Sequence, residues 1–266
     1  MKLHPAILES YLTFCRVRRR YRRVGKLELD ADFVFPATLL PLAVLVGKTG
    51  ASLTSSSPAV QGYVNWIMSA DDPSPGRTYV PIVRLPKNPE AYRNVLERLK
   101  DLSESTELFS VNRDAYHYLL SELIDNIYEH AQADRAYVMA QCYPKKGLIE
   151  ASFMDDGMTI PKALATGAGR AYRTDQAHAA IHDALKGVSS KGGGGRGFGL
   201  QSSVRIVNAL GGEVLVVSGR GAAVAEKQGR VRLFSLSPGD ALEGTLVGFR
   251  VQDTTKRINL LELVEG

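Results

Sequence analysis

A polar stripe on an otherwise apolar helix is the feature that most constrains the fold of this chain. The segment LLSELIDNIYEHA, residues 119–131, repeats apolar residues at helical spacing. When the segment is placed on a helix, Glu122, Asp125, Asn126 and Glu129 fall within a stripe of about 100°. The helix therefore buries one side against a core and presents carboxylates and an amide on the other. This pattern predicts either a solvated face or a site for a charged ligand.

The rest of the sequence predicts an α/β protein in two parts. A chain of 266 residues with 44% hydrophobic residues can build a large core. The regular patterns break between residues 102 and 112, so we predict a small α/β domain over residues 1–108 and a second domain over residues 109–266. The predicted strands cover residues 26–35, 78–86, 136–143, 148–155, 213–219, 230–236 and 244–251. The predicted helices cover residues 5–23, 37–50, 88–102 and 200–212, besides the helix with the polar stripe and a short helix that begins the segment 55–76.

An aspartate followed by a glycine ends one of the predicted strands, in the segment SFMDDGMTIP. Asp and Gly suit tight turns for local reasons, and a plain turn is one interpretation of Asp155 and Gly157. The functional interpretation is that the Asp155 carboxylate accepts a hydrogen bond from the exocyclic amine of adenine. Gly157, which has no side chain, would let the base approach the backbone.

A glycine run, SSKGGGGRGFGLQSS, leads into the predicted helix over residues 200–212. A flexible surface loop is one interpretation of such a composition. The alternative is a phosphate site, because the backbone N–H groups of the run converge on a helix N-terminus. A dinucleotide-binding fold is disfavoured because helix and loop, not a strand, precede the run. A Walker A loop is disfavoured because Lys191 comes before the glycines.

Taken in order, these segments resemble the GHKL, or Bergerat-fold, ATP-binding domain of histidine kinases, gyrase-type topoisomerases, mismatch-repair ATPases and anti-sigma kinases. Glu122, Asp125 and Asn126 resemble the N box of that superfamily. The segment DDGMTIP resembles its first glycine box, and GRGFGL resembles its second. The segment EGTLVGFRV is similar to its late strand, in which the position of Thr245 helps to hold adenine through water.

The resemblance implies a Bergerat-type α/β sandwich, a mixed sheet with helices on one face, which binds ATP or ADP beneath a lid over residues 162–194. It implies that Asn126, with Glu122 beside it, holds Mg²⁺, a cation that prefers oxygen ligands. Glu122 matches the position of the catalytic general base. The resemblance further implies contacts with the nucleotide from Asp125, Asn126, Glu129, Asp155, Gly157, Ile160, Lys191, Gly195, Arg196, Gly197, Phe198, Gly199, Leu200 and Thr245.

The first part of the chain carries weaker signals. It distantly resembles a STAS domain, the type of module that anti-sigma kinases engage, which suggests a regulatory role. The run Arg16–Lys26 holds seven basic residues and no acidic residue, and without them the basic excess of the chain disappears. Such a run can contact nucleic acid, or it can be a solvated helix face. The absence of a long apolar run and of a signal-peptide pattern predicts a cytoplasmic protein.

Two functions remain open from the sequence. The first is a Mg²⁺-ATP-dependent ATPase or serine/threonine-type protein phosphotransferase in intracellular signalling, with a regulatory or substrate protein as partner. The second is a nucleotide-gated binding module, in which ATP closes the lid and changes the affinity for a protein or nucleic acid. A self-phosphorylating histidine kinase is disfavoured, because no histidine lies in a helical hairpin before the polar stripe. A homodimer is compatible with either function.

Overall fold

The computed structural model of the protein describes residues 5–68, 78–104, 106, 108–190 and 199–265. The helices in this part of the chain are α1 (Ala6–Val24), α2 (Pro36–Thr49), α3 (Pro58–Met68), α4 (Arg93–Glu104), α5 (Arg113–Asn126), α6 (Ile160–Gly167), α7 (Ala177–Leu185), α8 (Gly199–Ala209) and α9 (Leu260–Glu265). The strands are β1 (Leu27–Leu29), β2 (Leu53–Ser55), β3 (Tyr79–Arg84), β4 (Ala136–Tyr143), β5 (Leu148–Asp155), β6 (Glu213–Gly219), β7 (Gly221–Ala225), β8 (Val231–Ser235) and β9 (Leu242–Gln252).

A seven-stranded sheet in the order β3-β4-β5-β9-β6-β7-β8 forms the centre of the fold. The predicted α/β class is confirmed. In place of the expected mixed sheet, however, each pairing described in this sheet is antiparallel, because short connections make β4–β5 and β6–β7–β8 into hairpins and β9 inserts between them. The register places Asp155 opposite Thr245 and Ser218 opposite the same threonine. Three polar side chains therefore lie in one row across the middle of the sheet.

Both faces of the sheet are covered by helices. The resemblance implied helices on one face of the sheet for residues 109–266. Side chains such as Phe153 and Val216 pack on one face into a core with α4, α5, α7 and α8. Their strand neighbours Met154 and Leu215 point to the opposite face, where α1, α2 and α3 pack. The helices α5, α7 and α8, which come from residues 109–266, pack together on one face of the sheet, as expected. The second layer comes from the N-terminal part of the chain.

The N-terminal part is joined to the sheet by more than helices. Its strand β3 pairs with β4 and forms one edge of the sheet, while β1 and β2 form a separate parallel pair. The strand predicted over residues 26–35 is reduced to Leu27–Leu29, in keeping with the low strand propensity of Asp30 and Asp32. The boundary predicted between residues 108 and 109 falls in the connection between α4 and α5.

Among the helices in the described ranges, none combines the length and the apolar composition needed to cross a lipid bilayer.

Candidate functional site

Two adjoining cavities lie on the α5 side of the sheet. The first, of about 120 Å³, is mostly apolar and lies between the sheet, α5, α8 and the segment 158–190. The second, of about 390 Å³, is lined along α5 by the acidic stripe and is called the polar cavity for that reason. Asn126 and Gly199 line both cavities. A ligand with an apolar ring at one end and charged groups at the other can therefore occupy both at once.

Asp155 is the acid of the apolar cavity. It ends β5, it is buried, and its Oδ1 accepts a hydrogen bond of 2.9 Å from the Gly157 N–H. Burial raises the pKa of Asp155 to about 7, while hydrogen bonds from the Gly157 and Thr245 backbone act in the opposite direction. A carboxyl group that titrates near neutral pH in a cavity is suited to bind a hydrogen-bond donor of a ligand.

Gly157 holds the end of the strand against the end of the helix with the polar stripe. Beyond Asn126 the chain forms a π-helical turn over Ile127–Ala131. A β-carbon at Gly157 would lie 1.9 Å from the Ala131 carbonyl oxygen, so this position has no room for a side chain. The Met158 N–H donates to the same oxygen at 2.6 Å. The close approach brings Asp155 and Asn126 to one cavity.

Thr245 lies next to Asp155 on β9 and is oriented by a residue that the sequence did not reveal. The hydroxyl groups of Ser218 and Thr245 are 3.0 Å apart. Ser218 Oγ also accepts a hydrogen bond of 2.8 Å from the Ile160 N–H, at the start of α6. Ser218 is fully buried, and the available signal was a serine near the end of an otherwise apolar strand. It ties β6 and β9 to the end of the first glycine box, where α6 begins.

Asn126 and Gly199 form the junction between the cavities. A β-carbon at Gly199 would lie 2.8 Å from Glu122 Oε2 and 2.9 Å from Asn126 Oδ1, so the first residue of α8 packs directly on both side chains. Within the described residues, the buried Asn126 Nδ2 has no hydrogen-bond partner. Glu122 Oε2 and Asn126 Oδ1, which lie against this glycine, are the kind of oxygen ligands that Mg²⁺ accepts together with phosphates and waters. The residues present therefore fit the expected metal.

Two tyrosines that the sequence did not reveal contact the acidic stripe. The Tyr118 hydroxyl is hydrogen bonded to Glu122. Burial is the main reason that the pKa of Tyr118 is raised to about 12, and the hydrogen bond with Glu122 is the second reason. Tyr118 precedes Glu122 by one helical turn, so spacing alone could have suggested the pair. Tyr92 donates to Asp125 Oδ1 at 3.0 Å from a 3₁₀ turn before α4, and no local pattern indicates this contact. Asp125 and Glu129 line the polar cavity.

The described part of the predicted lid, residues 162–190, includes most of α6 and all of α7. From this segment Ala163, Leu164, Ala184 and residues 188–190 line the apolar cavity, as does the preceding Ile160. Of the second glycine box, Gly199 and Leu200 line the same cavity. The remaining predicted residues Lys191, Gly195, Arg196, Gly197 and Phe198 lie outside the described residues.

The basic run lies on α1, which packs on the opposite face of the sheet. Arg18 is buried and donates hydrogen bonds of 2.9 Å to the carbonyl oxygens of Gly239 and Ala241. Arg19 pairs with Asp240, and Arg20 pairs with Glu28. At least these three members of the run therefore take part in contacts within the fold, and Arg18 is a structural residue.

A comparison with protein families agrees with this geometry. The family model described as histidine kinase-, DNA gyrase B-, and HSP90-like ATPase matches residues 111–253. The match spans more than half of the chain and includes the polar stripe, Asp155, the second glycine box and Thr245. It does not extend to the N-terminal part, whose STAS resemblance stays a prediction. No curated protein matches the chain. The predicted GHKL resemblance is confirmed, and the chain belongs to the family of histidine kinase-, DNA gyrase B- and HSP90-like ATPases.

Proposed function

We propose that the protein binds Mg²⁺-ATP and transfers its γ-phosphoryl group, to water or to a protein hydroxyl, in intracellular signalling. One observation carries this proposal: Asn126 and Gly199 line both the apolar cavity that contains Asp155 and the polar cavity that contains Glu122. Adenine in the first cavity would place the phosphates at this junction, with Glu122 beyond them. The family supports ATP binding in general.

Adenine recognition would depend on the ionised form of Asp155. The carboxylate accepts a hydrogen bond from the exocyclic amine of adenine, whereas guanine would present an acceptor oxygen at the same place. Two unpaired acceptors facing each other in a buried site are costly, so guanine nucleotides are rejected. Thr245, held by Ser218, supplies a hydroxyl beside the same carboxylate.

At the phosphate end, the proposed roles belong to Asn126 and Glu122. Asn126 Oδ1 and Glu122 would hold Mg²⁺, which when bound neutralises phosphate charge. Glu122 also accepts the proton of the attacking hydroxyl group, as a general base. Tyr118 is hydrogen bonded to Glu122 and orients its carboxylate. The start of α8 lies at the junction, because Gly199 lines both cavities, and its backbone N–H groups would bind phosphate oxygens.

The nucleotide-gated binding module is the second candidate. The observation that favours it is that residues 160–190 line the apolar cavity, so a bound nucleotide would contact α6 and the end of α7 directly. These contacts would give the ligand a different affinity for each position of the segment, which is what a switch requires. In either case we propose a cytoplasmic protein with a protein partner. A nucleic-acid partner would approach the exposed members of the run Arg16–Lys26, and a homodimer would be compatible with both candidates.

The deciding experiment follows the label of γ-labelled Mg²⁺-ATP in wild type, Glu122→Gln and a control, Asp114→Asn. Asp114 is an exposed acid in the first turn of the same helix. We expect wild type and control to release or transfer the label, and Glu122→Gln to lose at least about 100-fold in rate while still binding ATP. Binding without turnover in wild type would favour the nucleotide-gated module. Undiminished turnover in Glu122→Gln would remove the proposed base.

A further inference from the structure

A segment outside the family match, residues 254–265, is fastened beside the polar cavity. Asn112, which is buried just before α5, holds it through both ends of its side-chain amide. Asn112 Nδ2 donates to the carbonyl oxygens of Thr254 at 3.3 Å and Lys256 at 3.0 Å. Its Oδ1 accepts a hydrogen bond of 3.0 Å from the Ile258 N–H. A single side chain therefore fixes the path of the backbone that leads into α9.

Apolar contacts set the orientation of α9. Ile258, Leu260 and Leu263 pack against the core on the α5 side of the sheet. Leu261, by contrast, is 66% exposed and points away from that core. The helix contacts α8, whose first residue forms the junction of the two cavities. The position of α9 is thus determined by packing as well as by Asn112.

Val264 brings α9 into the wall of the polar cavity. The other residues described as lining this cavity belong to α5, the π-helical turn and α8, which also form the nucleotide site. Val264 comes from an element that contributes to neither the N box nor the glycine boxes. This wall could therefore move away without displacing Glu122 or Asn126.

We propose that α9 determines which acceptor reaches Glu122, and this inference rests on the proposed function. With α9 in place, water enters the polar cavity, whereas a serine or threonine on a protein chain does not. When α9 is displaced, the protein hydroxyl attacks the γ-phosphorus. The bond from that phosphorus to the bridging oxygen breaks, the proton passes to Glu122, and ADP leaves. The element thus separates hydrolysis from phosphotransfer.

The first test measures access without requiring turnover. In the full chain, Tyr118→Cys places a thiol in the polar cavity, and the native Cys15 and Cys142 are buried. Its reaction with methyl methanethiosulfonate is compared with its reaction with the much bulkier fluorescein maleimide. Asn112→Asp is then added, because a carboxylate cannot donate to the Thr254 and Lys256 carbonyl oxygens.

We expect Asn112→Asp to accelerate the bulky reagent by about tenfold or more and to change the rate of the small reagent by less than about twofold. Leu261→Ser, on the exposed side of α9, is the control and should change neither rate. If the bulky reagent reacts equally fast with Asn112 intact, α9 does not restrict access and the proposal is overturned.

The second test does not depend on releasing the segment. Val264→Trp enlarges the side chain in the cavity wall, and we expect it to slow both reagents by about tenfold or more. Unchanged rates in Val264→Trp would place Val264 away from the approach and overturn the proposal. Turnover of γ-labelled ATP is measured separately in chains that keep Tyr118, because this tyrosine contacts Glu122. Restricted access together with no turnover in the wild-type chain would reject the proposed phosphoryl transfer, and with it the acceptor role, while leaving the access measurement positive.

Discussion

At the scale of single residues, the binding role proposed for Asp155 comes with a cost in stability. A carboxyl with a folded-state pKa of about 7 keeps its proton at pH values where an unfolded aspartate, with an ordinary pKa of 3.8, has lost it. The free energy of unfolding therefore falls as the pH rises toward and through 7. Ionised Asp155 is the form that the proposed recognition of adenine requires.

Asp155→Asn should separate the two effects. We expect the variant to lose ATP binding, because an amide presents a different donor and acceptor pattern to adenine. Above pH 7 we expect its free energy of unfolding to exceed that of wild type by about 1 kcal/mol or more, because no buried charge remains. Calorimetry and chemical unfolding at pH 8 measure both quantities. Tight ATP binding by the variant would remove Asp155 from adenine recognition.

The same pKa predicts how nucleotide binding depends on pH. As the pH falls from 8 to 6, Asp155 gains a proton and loses the charged acceptor, so affinity for the base should decrease. Adenosine is the suitable ligand because it has no phosphate that titrates in this range. We expect its dissociation constant to rise by about fivefold or more over these two pH units. A flat profile would mean that the proton on Asp155 does not control binding.

Gly199→Ala tests the junction of the cavities. The added methyl group would lie within 3 Å of Glu122 Oε2 and Asn126 Oδ1, so one of these side chains must shift. We expect turnover of Mg²⁺-ATP to fall by about 10- to 100-fold, because small displacements of reacting groups are costly. Gly62→Ala in α3 is the matched control, since nothing lies within 4 Å of its added β-carbon. Equal activity of the two variants would contradict the tight packing at Gly199.

At the scale of secondary structure elements, Ser218 holds three segments together, namely β6, β9 and the start of α6. We expect Ser218→Ala to lower the free energy of unfolding by about 1–3 kcal/mol, since the Ile160 N–H loses its acceptor. ATP binding should weaken as well, because the Thr245 hydroxyl is no longer oriented. Ser235→Ala, at an exposed position on β8, is the control. An unchanged free energy of unfolding in Ser218→Ala would show that a water molecule replaces the serine hydroxyl as acceptor for the Ile160 N–H.

The elements also show what sequence alone could predict. The bounds of β4, β5 and β6 agree with the predicted strands, because apolar runs ended by polar or turn residues carry that information locally. The π-helical turn and the contact of Tyr92 with Asp125 depend on segments far apart in sequence, and no local pattern encodes them. The sequence could identify Asp155, Gly157 and Asn126 as candidate site residues, because their chemistry limits what they can do. The role of Ser218 arises from its neighbours in the fold.

At the scale of the whole molecule, the division of the chain at residue 108 is open to test. The N-terminal helices cover Met139, Met154, Leu215 and Leu246 on the second face of the sheet. We therefore expect residues 109–266, expressed alone, to aggregate or to bind an apolar dye, because this face would be exposed. The full chain is the control. A monomeric fragment that binds ATP would instead support the two predicted domains.

The two-sided sheet has a consequence for inhibitors that compete with ATP. In β5, Phe153 lines the apolar cavity, Met154 packs beneath the helices on the other face, and Asp155 returns to the apolar cavity. A close-packed interior transmits a change of volume at Met154 to both of its strand neighbours. We therefore expect resistance to such inhibitors to arise from substitutions under α1 and α2, at positions that never touch the compound. A resistance screen confined to the family-matched residues would miss the substitutions that fall in the first 68 positions, on the helices that pack against Met154.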